Sequence, residues 1–506
     1  MTALSVADPV DRTHPPEQPV DAPIPTARHF VKSVFRFGVA QIISWVAGAA
    51  LVVMLPRFLG DAALGKLGFA IAITSVYGLL ADPGISYFMT KEIARAPNRA
   101  GEILSSAILV RSALSVIAAS AVVATVVLLG YDPAGRAVAA VLALGMLVGA
   151  ASTSVRGTLV GLHKMRTVAA APALSNFVYA GGSAAVFAAG GGVVWVAAAS
   201  VVGQVAAFAL NLKGLAGQVR WTPPSWRVSR YLIGGGLPFV VTGAALVIYG
   251  QIDTVMLSLL TRDAVVGWYV AAVRIMSVPQ FVPAILTIVL FPALSAATHH
   301  PESYNRIIRQ AIRLVVLVNL PVAVGIGLLA DQAIHVLGYP ASFDHSIVPL
   351  VLLAAGIPLV AIDMVIGAAL GAGDRQKYWA AVGVAAAVLN PALNLFAIPF
   401  TQRAFGNGAI GTAAITTITE MFILVLGLKL LPHGSLGRET YSYAARCLLA
   451  AALLAAVLIP LREMPSVAIP IVAGAVAYVL ASMALRTLTM ADIRMTLGHL
   501  IARSPS

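Results

Sequence analysis

From end to end the chain repeats one device: apolar runs of about 20 residues, separated by short turns rich in glycine, proline and charge. A run of that length spans the hydrocarbon core of a bilayer, about 30 Å thick at 1.5 Å per helical residue. Lipid offers no hydrogen-bond partner to the backbone, so such runs must be helices that satisfy themselves. With 59% of residues hydrophobic and 10% charged, the chain has too little polar surface to cover a soluble fold of 506 residues. The expected class is an all-α integral membrane protein.

Fourteen spans fit the runs. They fall near 34–56, 64–84, 102–130, 136–160, 167–189 and 193–215, then 231–260, 264–296, 307–330, 346–371, 378–399, 405–430, 441–461 and 465–487. With both termini placed in the cytosol, 26 of the 33 Lys and Arg residues lie on the cytosolic side, as the positive-inside rule requires. A miscounted helix would invert every later loop and destroy that bias. The net charge of +13 is thus spread over turns between spans, which points to anionic headgroups and not to nucleic acid. Residues 1–33, with six prolines in the first 29, read as a disordered cytosolic tail. No secretory signal precedes the first span, which should remain as a transmembrane helix in the cell's cytoplasmic (inner) membrane.

A duplication organises the spans. Met54 to Val76 aligns without a gap on Met256 to Val278, 202 residues later, and nine of the 23 positions match, including Asp61/Asp263, Gly65/Gly267 and Ala70/Ala272. A second echo sets Gly192 to Gln204 on Gly408 to Glu420. Six helices separate equivalent points, and an even number preserves direction across the membrane. The repeats are therefore parallel, related by an axis normal to the bilayer. The expected architecture is a six-helix lobe over 34–215, a cytosolic linker over 216–230, a second lobe over 231–430, two extra helices over 441–487 and a tail over 488–506. A central cavity should lie between the lobes.

Asp253, Met256 and Leu257 form I-D-x-x-M-L. Gly267 and Tyr269 follow in V-G-x-Y, Arg274 in A-x-R, and Phe291 to Ser295 in F-P-x-L-S. This order resembles the second half of polysaccharide and oligosaccharide-lipid flippases, in the superfamily that also holds multidrug extruders and lipid II flippases. Arg57 to Gly60 and Gly406 to Glu420 are similar to family segments too, and the resemblance runs from about Phe30 to Leu488. It implies transport, not catalysis, of a lipid-linked glycan for cell-surface polysaccharide assembly, with membrane lipids and polysaccharide polymerase machinery as partners. It also implies coupling to Na⁺ or H⁺ in some relatives. A cation-coupled multidrug extruder of the same superfamily is the competing reading.

The intramembrane charges supply the site candidates, because ionised groups at that depth face a bundle interior or a wet cavity. Arg274 suits a pyrophosphate, since its planar fork donates to two oxygens together. Arg57, Arg111 and Arg156 are further candidates for the substrate, Arg111 and Arg156 with snorkelling to headgroups as the plainer alternative. Asp253, the Asn390/Asn394 pair and the Thr412, Thr416, Glu420 face offer the hard oxygen ligands that Na⁺ would take. The plainer alternatives are an Asp253–Arg274 ion pair and interhelical packing by Asn and Thr. Asp363 has no evident partner and is a proton-site candidate. Asp82 is explained by turn chemistry with Pro83 and Gly84. No complete G-x-x-x-x-G-K-[S/T] loop exists to cradle ATP, since Gly60 to Lys66 is followed by Leu67, and Cys447 is the one cysteine.

Overall fold

The protein is described here by a computed structural model over residues 44–464 and 466–488, so the expected terminal tails and the start of the first span lie outside the described residues. Among the described residues every regular element is helical. The first lobe comprises α1 (Ser44–Leu59), α2 (Asp61–Ala81), α3 (Ile85–Arg95), α4 (Ala100–Leu128), α5 (Pro133–Gly161), α6 (Met165–Ala188) and α7 (Val193–Leu215). The second comprises α8 (Trp226–Leu260), α9 (Asp263–Ser277), α10 (Phe281–Ala297), α11 (Pro301–Leu328), α12 (Ala330–Val336), α13 (Ile347–Ala372), α14 (Gln376–Phe405) and α15 (Gly408–Leu430). Helices α16 (Arg438–Leu461) and α17 (Ala468–Ala484) follow and pack on α11.

Among the described residues, eleven helical segments are long and apolar enough to cross a membrane. The spans expected near 34–56 and 465–487 correspond to the shorter apolar helices Ser44–Leu59 and Ala468–Ala484, and that near 167–189 to the 24-residue α6, which is not among the eleven. Two expected spans differ in detail. The run expected as one helix over 264–296 breaks into α9 and α10 at a 3₁₀ turn, Val278–Gln280, where Pro279 lacks the N–H that would continue the α-helix. After α2 the chain turns at Gly84, whose positive φ of 72° favours glycine. It then forms the amphipathic α3, beyond the span expected near 64–84 and within the connection to the span near 102–130.

The duplication is visible in the packing. Helix α4 lies on α5 as α11 lies on α13; α5 lies on α7 as α13 lies on α15; α6 lies on α7 as α14 lies on α15. The lobes meet through α2 and α9, the helices that carry the longer echo. Gly65 and Gly267 make that approach possible: a Cβ at Gly65 would overlap the Asp263 carbonyl, and one at Gly267 would overlap that of Asp61. Around them Leu55, Leu64, Leu257, Val265, Val266, Ala271 and Ala272 are fully buried and join both lobes in one apolar cluster. This contact lies at the face opposite the Lys- and Arg-rich turns, here termed the basic face. Toward the basic face α8 leans on the first lobe: Gly236 abuts the backbone of Pro83 and Gly84, and Gly235 the ring of Phe88.

Candidate functional site

The turn between α14 and α15 shows how sequence sets up the site. Gly406, at φ 66°, ends α14 in the left-handed conformation, and the Asn407 side chain caps α15 by accepting from Ala409 N at 3.1 Å. Gly411 then lets α15 press against the Ala397 carbonyl of α14. The two helices are thereby locked as an antiparallel pair, with Asn390 and Asn394 of α14 facing Thr416 of α15.

Asp253, from α8, closes this group. Its Oδ1 accepts from Asn394 Nδ2 at 2.7 Å, and its Oδ2 accepts from Thr416 Oγ1 at 2.7 Å and from the Tyr269 hydroxyl at 2.9 Å. Asn394 Nδ2 also donates to Asn390 Oδ1 at 3.0 Å. Asp253 is 6% exposed and both asparagines are fully buried. Four helices, α8, α9, α14 and α15, thus bring one carboxylate and its donors together about 10 Å from the end of α8. Asn394 Oδ1 is buried and receives no hydrogen bond, an orphan acceptor beside a carboxylate. Pro391, inside α14, lacks the N–H that would bond the Ala387 carbonyl. The chemistry fits a small hard cation. Thr412 stands one turn from the cluster, its hydroxyl donating to Gly408 O at 3.2 Å, while its own carbonyl accepts from Thr416.

Glu420 and Asp363 form a neighbouring acidic pair. Tyr249 donates to Glu420 Oε1 at 2.7 Å, and the Asp363 carboxyl faces Glu420 from α13. Both Asp363 carboxyl oxygens are buried without a hydrogen-bond partner among the described residues, with the Glu420 carboxyl, two helices later in sequence, nearby.

Arg274 does not pair with Asp253. Among the described residues its guanidinium makes no hydrogen bond or ion pair, and its Nε is buried without a partner. The side chain is half-buried, roughly 15 Å from the start of α9, within electrostatic reach of Tyr179 on α6 and Tyr339 before α13. Tyr339 is tied to α1 by a hydrogen bond to Val52 O at 2.6 Å.

The other arginine candidates have different surroundings. Arg57 is exposed near the face opposite the basic one, its guanidinium against Gly338 and over the Phe58 ring at 5.6 Å. Arg156 is exposed on α5. Arg111 is only 3% exposed and does not snorkel: it pairs with Asp82 at 3.3 Å and donates to Ser86 Oγ at 2.5 Å. Asp82 also accepts from the Ser86 hydroxyl and backbone N–H, so it holds a buried cation as well as a turn. Sequence reasoning assigned no role to Tyr249, Tyr269, Tyr179 or Tyr339. Tyr269 had a signal, its place in V-G-x-Y; the rest are joined to the site only by tertiary contacts.

No curated protein sequence matches the chain. Among solved structures it is similar to the lipid II flippase MurJ in an inward closed conformation, with TM-score 0.72 and 16% identity over 89% of this chain and 98% of that one. It is also similar to an inward-facing multidrug resistance MATE family transporter of the MOP superfamily, with TM-score 0.62 and 16% identity over 78% and 97% of the two chains. A eukaryotic MATE transporter aligns at TM-score 0.56 and 13% identity, covering 83% and 99%. These likenesses give the fold of a multi-pass membrane transporter. The profile described as polysaccharide biosynthesis protein matches residues 30–298, more than half of the sequence, and the chain belongs to that family.

Proposed function

We propose that the protein flips a polyprenyl-pyrophosphate-linked oligosaccharide across the cytoplasmic membrane by alternating access, for assembly of a cell-surface polysaccharide, with both termini in the cytosol. One observation carries this reading: the half-buried guanidinium of Arg274, between lobes, has no carboxylate partner among the described residues. In a low-dielectric setting an unpaired cation is costly, so a site that retains one is matched to an anion. A pyrophosphate supplies that anion, while the polyprenyl tail stays in lipid and the sugars cross in the cavity. The lobes rock against one another, with the α2–α9 contact closing one face, and pass the product to polysaccharide polymerase machinery on the far side.

The Asp253 group gives the driving ion a place. Asp253, Asn390, Asn394 and Thr416 offer the oxygens for Na⁺, or Asp253 a carrier for H⁺, with Asp363 and Glu420 as the second carboxyl pair. The same group supports the second reading, a cation-coupled extruder.

Export of polysaccharide in cells tests the choice. Arg274→Lys keeps charge without the fork and Arg274→Ala removes both, so export should fall in the order wild type, Lys, Ala while protein level in the membrane holds. Because Asp253 is bound by Asn394, Thr416 and Tyr269, adding Asp253→Ala to Arg274→Ala should not restore export. Full export by Arg274→Ala, with drug efflux lost instead, would favour the extruder.

A further inference from the structure

Three turns of the second lobe meet at the basic face and enclose a cup of about 600 Å³. The α10–α11 turn gives His299, the α13–α14 turn gives Asp374 and Arg375, and the link after α15 gives His433; Tyr304 and Asn305 of α11 complete the wall. The two α11 residues are occupied in holding the cup together. The Tyr304 hydroxyl donates to Ala369 O of α13. Asn305 Nδ2 donates to His433 O at 3.1 Å while its Oδ1 accepts from Ser435 Oγ at 2.7 Å, and Arg309 Nη1 donates to Gly434 O at 2.6 Å. The link after α15 is thereby fixed to α11, and α11 to the end of α13.

What is left over is basic. Arg375 uses Nη1 on Leu430 O, at 3.0 Å, and the rest of its fork has no hydrogen bond or ion pair among the described residues. His299 and His433 are exposed, and an imidazole carries an N–H donor in either protonation state. Asp374 is the single carboxylate of the lining and forms no ion pair among the described residues. Scattered surface cations need no ligand. These three donors, however, come from three turns and line one volume, within the roughly 300–1,000 Å³ of small-molecule sites.

We propose that this cup binds a phosphate monoester: Arg375 supplies the fixed charge, and His299 and His433 donate from the two other turns. A phosphate monoester has three terminal oxygens and close to two negative charges at neutral pH, one oxygen for each donor. A lipid headgroup and a soluble phosphate share this chemistry. Arg274 is not in the lining, so the site is independent of the transport reading. A ligand here joins three separate turns and stiffens the second lobe at the basic face.

Calorimetric titration of the purified full-length protein tests the cup. Glycerol 3-phosphate is the soluble probe, dioctanoylphosphatidic acid the lipid one, and dioctanoylphosphatidylcholine, a diester, the control. Arg375→Gln should weaken binding about 10-fold, as for loss of one hydrogen bond between charged groups. That variant also alters the tie to Leu430 O, so a second one is needed. His299→Gln with His433→Gln should leave the ligand-free melting temperature unchanged and weaken binding about fivefold. Asp374→Asn should tighten it about threefold, because a like charge leaves the cup, and asparagine tolerates the left-handed φ of 57° there.

Binding of both probes with these dependences supports the site for any phosphate monoester. Binding of phosphatidic acid alone assigns it to a headgroup, and of glycerol 3-phosphate alone to a soluble phosphate. No binding of either probe, equal binding of phosphatidylcholine, indifference to all the substitutions, or weaker binding by Asp374→Asn overturns it. Arg274→Ala should bind as wild type does. Loss of binding there would move the phosphate away from the cup and sink the proposal, whereas failure of the Arg274 reading in the export assay leaves the cup untouched.

Discussion

The indole Nε1 of Trp268 donates to the Asp61 carboxylate at 3.0 Å, joining α9 of one lobe to the start of α2 in the other. The 202-residue repeat maps Asp61 onto Asp263 and Lys66 onto Trp268. The mirror contact exists as well: Lys66 Nζ lies 3.9 Å from Asp263. The duplicated positions thus meet twice across the boundary, once as a hydrogen bond and once as an ion pair. Gly65 and Gly267 lie between them, each against the other repeat's backbone. This is the fastening that must part for the lobes to open on that face.

Substituting either glycine tests the fastening. Gly65→Val or Gly267→Val places side-chain atoms where the Asp263 or Asp61 carbonyl sits, and backbone cannot yield as a flexible side chain does. The lobes should be held apart at this face. A cysteine at Lys66 should then label faster with an impermeant reagent from outside, and export should drop to a small fraction of wild type with normal protein level. Unchanged labelling would mean that the contact is not a gate.

Arg111 and Asp82 should behave as a structural pair. Arg111→Ala strands a carboxylate and leaves a cavity in the first lobe, with an expected loss of about 3 kcal/mol. The double variant Asp82→Ala, Arg111→Ala should recover much of that loss in a thermal-unfolding measurement. A single variant as stable as wild type would remove the pair from the fold's supports and return Arg111 to the substrate candidates.

Sodium binding at Asp253 is measurable without transport. A cation that binds the folded state at 100 times its Kd adds about 2.7 kcal/mol of stability. The melting temperature should rise in NaCl relative to choline chloride at equal ionic strength. Asp253→Asn should abolish that difference, and Asn394→Ala should reduce it. An equal rise in the Asp253→Asn protein would exclude this cluster as the sodium site.

Near the face opposite the basic one, Lys66 and the Gly135 backbone N–H hold the Asp132 carboxyl below its ordinary range, the lysine hydrogen bond contributing most. A depressed folded-state pKa stabilises above the unfolded value, about 4, and the stabilisation fades as pH falls through the folded value. The Lys66–Asp132 tie should therefore be complete at neutral pH and be lost only in strong acid. The group is half-exposed, so the effect is small. Comparing Asp132→Asn with wild type across pH 3 to 7 (a range set by the unfolded value of about 4) should show curves that converge at the acid end.

Sequence alone determined the class and the repeat. Bilayer thickness dictates run length, and duplication leaves identities such as Asp61/Asp263. It also indicated which residues would gather, since Asn390, Asn394 and Thr416 share faces by helical spacing and Asp253 is a charge in an apolar run. Their partners were decided only in three dimensions. Asp253 bonds Asn394 from 141 positions away, and Arg111 is matched with Asp82 instead of lipid headgroups. Periodicity reports which side of a helix is polar, and it carries no information about the azimuth at which that side meets another helix. That angle is set by packing, where Gly65, Gly267, Gly236 and Gly411 let backbones touch, and so the site belongs to the tertiary structure.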